Sequence, residues 1–143
     1  MRQIKARPRA SVKDGSMSAT PTAVSQDRVI VIVEDDVSLV GALTFALEAD
    51  GFKVCSFTSA RPLLEAPIGG DCMVVDLRLP DLDGLSLIAE LRARGVTTPA
   101  ILMTTNPGER CRAAAASARV AIVEKPLIGG DLRRRIDEAI ARA

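Results

Sequence analysis

The amino-acid sequence predicts an α/β fold in which helices cover both faces of a parallel β-sheet. Three observations predict this class. Five short apolar runs alternate with five amphipathic runs between residues 28 and 142, the connections between them are short, and the first run is apolar without interruption. A continuous β-branched run is typical of a strand buried on both faces. Regular alternation of strands and helices favours right-handed crossovers between parallel strands.

The first half of the folded region contains two strands and two helices in this pattern. Val29–Val33 contains only Val and Ile and is the first predicted strand. Val37–Ala49 has one apolar stripe at helical spacing and ends before Gly51, so it is the first helix. Phe52–Phe57 is the second strand. Ser59–Ala66 is a short second helix, and the hydroxyl of its first residue is the expected N-cap.

The central part adds two strands with a helix between them. Cys72–Val75 and Ala100–Met103 are apolar runs of strand length. Gly84–Arg94 has helical periodicity and ends at Gly95, the residue type that most often follows a helix. The side chains expected to face the core from this helix are Leu85, Ile88 and Leu91.

The last part completes the count of five strands and five helices. Gly108–Ser117 is an alanine-rich helix, and Val120–Val123 is the fifth strand. A final helix follows Asp131, which is the expected cap. Its predicted apolar stripe consists of Leu132, Ile136 and Ile140.

Composition bounds the possible functions. The 143 residues are 48% hydrophobic and 26% charged, which is enough for a globular core and excludes collagen-like, fully disordered and disulfide-stapled chains. Histidine is absent, which excludes histidine general bases and zinc sites that use histidine. The three cysteines lack CxxC spacing and favour a reducing compartment. The net charge of +1 gives no overall attraction to nucleic acid or membrane.

The N-terminal segment differs from the rest of the chain. Residues 1–28 carry six basic and two acidic side chains and show no apolar period, so we predict a disordered basic arm over 1–27 and one folded domain over 28–143. An organelle transit peptide and a phosphate-binding arm are alternatives, and Met17 competes with Met1 as the native start. Neither a secretory signal nor a membrane-spanning length is present, so the expected location is cytoplasmic.

Polar residues at the strand ends form the candidate site, because ligands of parallel sheets gather beyond the carboxyl ends of the strands. Glu34 and Asp35 follow the first strand and Asp76 ends the third. If these strands are neighbours, their carboxylates need a cation, and Mg²⁺ suits a few carboxylates with water and phosphate. Thr104 adds a hydroxyl and Lys125 a positive charge. Together these groups can accept a phosphoryl group.

Each of these residues also has an ordinary structural interpretation. Asp35 or Asp36 can serve as the cap of the following helix, and for Asp36 this interpretation is the favoured one. Thr104 can be a simple strand end, and Lys125 a solvated loop lysine. Because glutamate, aspartate, threonine and lysine residues all lie at strand ends of one sheet, a shared function is favoured.

Four segments of the chain resemble the receiver domain of two-component response regulators. They are VIVEDD, MVVDLRLPDLDGL, ILMTT and VEKP, in matching order and spacing across residues 28–142. The resemblance implies that Asp76 is the phosphoacceptor and Asp35 a direct Mg²⁺ ligand. It also implies that Glu34 is the outer acidic partner and that the backbone carbonyl of Arg78 is the third protein ligand.

The resemblance has further implications for fold and partners. It implies a doubly wound, flavodoxin-like sheet of strand order 2-1-3-4-5, a cis peptide before Pro126, and phosphate contacts from Thr104 and Lys125. The phosphodonor is then a separate histidine kinase or histidine phosphotransfer protein, because this chain has no histidine. The expected protein is a single-domain regulator of the chemotaxis-regulator type that acts by protein contact or as a phosphate sink. It is also expected to be able to hydrolyse its own acyl phosphate.

Three positions depart from the pattern of the resembled family. The usual switch aromatic, three residues before the lysine, is Ile122, so no ring can move at that position. The residue after the switch threonine is Thr105 instead of a very small one. The Gly-Ala pair usual before the fifth strand is replaced by Ala118 and Arg119.

Other functions remain open from the sequence. A flavodoxin-like nucleotide binder needs a glycine- or hydroxyl-rich phosphate loop, where this chain has acids. The run Asp81–Gly84 is similar to part of a phosphohydrolase motif or of a calcium loop, but its surroundings fit neither. Arg133–Arg135 indicates a solvated helix face rather than a nucleic-acid contact. A receiver-fold binding scaffold that does not cycle phosphate is the main alternative, since Ile122 supplies no ring for the output step.

Overall fold

A computed structural model describes residues 27–66, 70–125 and 130–143 of the chain. The predicted arm lies outside the described residues except for Asp27, and so does the peptide bond before Pro126. Among the described residues, none of the helices has both the length and the apolar character needed to cross a membrane.

Five parallel strands form one sheet in the order β2-β1-β3-β4-β5, which confirms the predicted class and strand order. All residues of β1, β3 and β4 are buried, whereas β2 and β5 form the partly exposed edges. The long β-branched and apolar runs therefore occupy the central strands, as burial on both faces requires. The strands are β1 Val29–Val33, β2 Lys53–Phe57, β3 Cys72–Asp76, β4 Ala100–Thr104 and β5 Ala121–Glu124.

One helix follows each strand, with bounds within a residue or two of those predicted. The helices are α1 Val37–Ala49, α2 Ala60–Glu65, α3 Gly84–Ala93, α4 Glu109–Ala118 and α5 Asp131–Arg142. Asp131 is the first residue of α5 and not its cap, a position that Gly130 occupies. In α3 the predicted core residues Ile88 and Leu91 are buried and Leu85 packs against the same core, and Leu87 is a further fully buried side chain.

Two apolar cores lie on opposite faces of the sheet. On one face, α1 and α5 cover the strands with side chains such as Leu43 and Ile136. On the other, α2, α3 and α4 cover them with side chains such as Leu63, Ile88 and Ala115. The loops that follow the strands emerge between these layers at the carboxyl edge of the sheet, where the candidate site lies.

Helix α2 begins differently from the prediction. The side chain of Ser59 makes no capping hydrogen bond. Instead the carboxylate of Asp81 accepts hydrogen bonds from the backbone N–H of Ala60 at 2.9 Å and of Arg61 at 2.8 Å. The cap therefore comes from a residue about twenty positions further along the chain, which local sequence cannot indicate.

The prediction that the run Arg133–Arg135 is a solvated face of α5 is wrong for Arg133. Its guanidinium pairs with Asp50 at 3.1 Å and with Asp137 at 2.9 Å, and its Cζ lies 5.2 Å from the centre of the Phe52 ring. This side chain fastens α5 to the end of α1. Arg134 is the exposed member of the run and pairs with Asp131.

Candidate functional site

Three carboxylates meet at the carboxyl edge of the sheet. Because β1 and β3 are neighbours, one oxygen each of Glu34, Asp35 and Asp76 lies within 4.8 Å of the others. Glu34 and Asp76 are buried, and Asp35 is exposed. The sequence predicted this cluster from strand ends alone.

Lys125 joins the cluster from the end of β5. Its Nζ lies 2.8 Å from Oε1 of Glu34 and 3.0 Å from Oδ1 of Asp76. One ammonium group thus partly neutralises two buried carboxylates that would otherwise repel each other. The interpretation of Lys125 as a solvated loop lysine is therefore wrong.

The pKa values of Glu34 and Lys125 are both raised, for different reasons. Burial raises the pKa of the Glu34 carboxyl and the charge of Asp76 adds to this, which together outweigh the hydrogen bonds from Lys125 and from the Asp36 N–H. Burial alone lowers the pKa of the Lys125 ammonium, but its hydrogen bonds to Glu34 and Asp76 and the charges of both acids outweigh burial and raise that pKa. Lys125 therefore remains a fixed positive charge in this site.

Backbone contacts hold Glu34 in place. Its N–H donates to the carbonyl of Phe57 at 3.0 Å, and its Oε2 accepts from the N–H of Asp36 at 3.0 Å. The side chain of Asp36 accepts from the N–H of Leu39 at 3.2 Å, so Asp36 is the cap of α1, as predicted. This leaves Asp35 as the exposed acid at the mouth of the cluster.

Thr104 lies at the end of β4, next to the strand that carries Asp76. The register pairs Asp76 with Met103, which places Thr104 one residue further along. Thr104 is buried, its hydroxyl donates to the carbonyl of Thr105 at 3.4 Å, and its carbonyl accepts from the N–H of Lys125 at 2.9 Å. Arg78 follows Asp76 by two residues and has an exposed side chain.

The three departures from the family pattern have clear structural settings. Ile122 is half-buried and packs against the core beneath α3 and α4. Thr105 is exposed. Arg119 adopts a left-handed conformation with φ of 60° at the end of α4, where glycine is the less strained residue.

The donor set of the site fits a hard cation. Three carboxylate oxygens at close range, two of them on buried residues, are the ligands that Mg²⁺ prefers in proteins. Burial raises the pKa of the Cys72 thiol to about 12, so this cysteine is a core side chain and not a nucleophile.

Comparison with known proteins identifies the class to which this fold and site belong. Residues 30–137 match the response regulator receiver domain family, and the chain belongs to that family. Two-component response regulators are phosphorylated on an aspartate of this domain. The resemblance inferred from the four motifs is thus confirmed.

The chain is similar to several transcriptional regulatory proteins. It is 33% identical over 118 residues to FixJ of Bradyrhizobium diazoefficiens, a match that covers 80% of this chain and 57% of FixJ. It is 35% identical over 116 residues to the KDP operon regulator KdpE of Escherichia coli, covering 79% of this chain and 51% of KdpE. The chain therefore spans about half the length of these relatives.

Solved structures agree with this fold. Full-length FixJ from B. japonicum superposes with a TM-score of 0.74 at 28% identity, covering 82% of this chain and 59% of FixJ. A CheY-like receiver domain protein from Methanospirillum hungatei superposes with a TM-score of 0.73 at 23% identity, covering 80% of this chain and 94% of that one. The second likeness concerns the fold alone.

Proposed function

We propose that Asp76 accepts a phosphoryl group from a phosphohistidine on a separate histidine kinase or histidine phosphotransfer protein. In this transfer the P–N bond of the phosphoimidazole breaks and a P–O bond to a carboxylate oxygen of Asp76 forms. The imidazole leaves with the electron pair and takes up a proton. The observation that carries the proposal is the burial of Asp76 beside Lys125 and two further acids at the carboxyl edge of the sheet.

The residues around Asp76 have distinct roles in this proposal. Asp35 and Asp76 supply direct carboxylate ligands for Mg²⁺, and the backbone carbonyl of Arg78 is the third protein ligand expected from the family pattern. Glu34 is the outer acidic partner. The ion, when bound, offsets the charge of the incoming phosphoryl oxygens. Lys125 provides a second positive charge on the same side as Asp76.

Thr104 is the residue proposed to respond to phosphate. Its hydroxyl makes only a long hydrogen bond of 3.4 Å to the carbonyl of Thr105, which it can exchange for a shorter bond to a charged phosphoryl oxygen.

The acyl phosphate can later be hydrolysed by water, which returns the protein to its starting state. Signalling then proceeds by contact with another protein, or the protein acts as a phosphate sink, and no nucleic acid or membrane partner is included in the proposal.

A cytoplasmic location belongs to the same proposal. Cys72 and Cys111 are thiols and not disulfide partners, which suits a reducing compartment. The arm over residues 1–27 and the folded domain over 28–143 remain predictions from composition.

Phosphorylation of the purified protein tests the proposal. With a small-molecule phosphodonor and Mg²⁺, intact mass should increase by one phosphoryl group, and Asp76→Asn should remove the increase. The matched control is Asp71→Asn, which changes an aspartate just before the same strand at the opposite edge of the sheet. Equal labelling of Asp76→Asn would exclude Asp76 as the acceptor.

The rival function is a binding scaffold of the same fold that does not cycle phosphate. Its motivation is Ile122, which has no ring to move between exposed and buried positions. Phosphotransfer from a panel of histidine kinases separates the two functions. A scaffold takes no phosphate from any kinase or small donor, whereas a working receiver is labelled by at least one.

A further inference from the structure

The carboxylate cluster requires a frame that holds its members together. Oxygens of Glu34, Asp35 and Asp76 lie within 4.8 Å of one another, and like charges at this range repel. Lys125 offsets part of the repulsion, and the remainder acts to separate the end of β1 from the end of β3. The contacts that connect these two ends are therefore part of the site.

Both ends of the loop that follows Asp76 lie close to the backbone of that residue. The N–H of Leu77 donates to the carbonyl of Met103 at 2.9 Å, and the N–H of Gly84 donates to the carbonyl of Leu77 at 2.7 Å. A Cβ at Gly84 would overlap the carbonyl oxygen of Asp76 and lie 2.9 Å from Cγ1 of Val75. The first residue of α3 thus rests directly on the backbone of the proposed phosphoacceptor.

Asp81 attaches the middle of this loop to helix α2. Its two carboxylate oxygens accept from the N–H groups of Ala60 and Arg61, at 2.9 and 2.8 Å. Ala60 is fully buried in the core beneath α2, so the attachment point is rigid. Because Ser59 contributes no side-chain cap, Asp81 is the side chain that caps these N–H groups.

Helix α2 is in turn connected to Glu34. The short segment between β2 and α2 follows Phe57, whose carbonyl accepts from the N–H of Glu34 at 3.0 Å. A continuous path therefore runs from Glu34 through the end of β2 and the first turn of α2 to Asp81. From there it continues through the loop to Gly84 and the backbone of Asp76.

We propose that Asp81 is a positioning residue of the cation site: by fastening the loop after Asp76 to the first turn of α2, it holds the carboxylates of β1 and β3 at the separation a shared Mg²⁺ needs. The proposal rests on the proposed function and assigns a role to the run Asp81–Gly84, which neither a phosphohydrolase motif nor a calcium loop explains. Asp81 does not itself contact the ion. Residues of this kind, which orient ligands from outside, typically change metal affinity by about tenfold or more.

Two measurements on Asp81→Ala test this role. Amide hydrogen exchange should become faster at Ala60 and Arg61, because their N–H groups lose the acceptor. Isothermal titration with Mg²⁺ alone should give an affinity about tenfold weaker than that of the parent protein. Asp81→Asn keeps one acceptor oxygen and should lose less affinity, and it provides a second variant if Asp81→Ala does not fold.

Asp71→Ala is the matched control. Asp71 also accepts a backbone hydrogen bond, from the N–H of Val29 at 2.8 Å, and it pairs with Arg28 at 3.6 Å. It lies at the opposite edge of the sheet, before β3 begins. Its replacement should lower the melting temperature while leaving Mg²⁺ affinity unchanged.

The outcomes separate this role from the proposed function. If the parent binds Mg²⁺ and Asp81→Ala binds it equally well, the positioning role is overturned while the proposed function stands. If Asp71→Ala weakens Mg²⁺ binding as much as Asp81→Ala does, the effect is one of general stability and the role is also overturned. A parent protein that binds no Mg²⁺ overturns both proposals together.

Discussion

At the scale of single residues, the site depends on one lysine between two buried acids. The side chain of Glu34 is 1% exposed and that of Lys125 is 22% exposed, so water screens their 2.8 Å contact poorly. Removing one partner of such a pair leaves the other charge buried without compensation, which costs more than the pair contributes. Lys125 therefore has a structural role in addition to its proposed contact with phosphate.

Lys125→Met should lower the free energy of unfolding by about 2 kcal/mol in Mg²⁺-free buffer, because Glu34 and Asp76 lose the ammonium group that pairs with both of them. Adding Glu34→Gln should recover part of this loss, since one buried negative charge is then removed. Urea denaturation of both single variants and the double variant measures the coupling. Lys53→Met is the matched control, because Lys53 is exposed at the start of β2, and it should leave stability unchanged.

At the scale of elements, local patterns predicted the strands well because β1 is apolar throughout and β3 and β4 are apolar up to their last residue. The cap of α2 could not be predicted in this way, since Asp81 and Ala60 are 21 residues apart with β3 between them in sequence. The interpretation of the Arg133 run failed for a similar reason, because Asp50 and Phe52 are distant in sequence and adjacent in the fold. The periodicity of apolar residues predicts which side chains are buried, but it does not predict which polar side chains contact each other between different elements.

Helix α4 and strand β5 are the elements next to Thr104, since α4 follows β4 along the chain and β5 pairs with β4 in the sheet. Ala115 is the buried residue of α4, and the guanidinium of Arg112 pairs with Glu124 of β5 at 3.0 Å on the surface. Ile122, between Ala121 and Val123, packs into the core and is stiff about its first side-chain torsion. A change at Thr104 should therefore move the loop before α4 more readily than it moves β5.

Beryllofluoride, a phosphoryl mimic, should produce amide chemical-shift changes that are largest over residues 104–109. Pro107 and Gly108 precede α4 there, and Asn106 has a positive φ of 55°, so this backbone is irregular. Changes over residues 133–141 of α5 should be small. The same experiment on Asp76→Asn should give no changes, and shifts in α5 as large as those at Thr104 would mean that the switch works without its aromatic.

At the scale of the whole molecule, the site joins the two halves of the fold. Strands β1 and β3 are shared by both apolar cores, and their ends carry the three clustered carboxylates. Strand ends were the one feature that let the sequence predict this cluster, because parallel strands bring their carboxyl ends to one edge. A cation bound there contacts residues from distant parts of the chain, so its binding is linked to folding of the entire domain.

Mg²⁺ should therefore stabilise the folded protein by mass action. At about ten times the dissociation constant the gain is about 1.4 kcal/mol, which corresponds to about 5 °C in melting temperature for a domain of this size. Asp35→Asn should remove most of the response, because Asp35 is the exposed acid of the cluster and supplies a proposed direct ligand. Asp71→Asn, with its change at the opposite edge of the sheet, should respond to Mg²⁺ as the parent does. A melting temperature that does not depend on millimolar Mg²⁺ in the parent, or an equal response in Asp35→Asn, would contradict a cation site at these carboxylates.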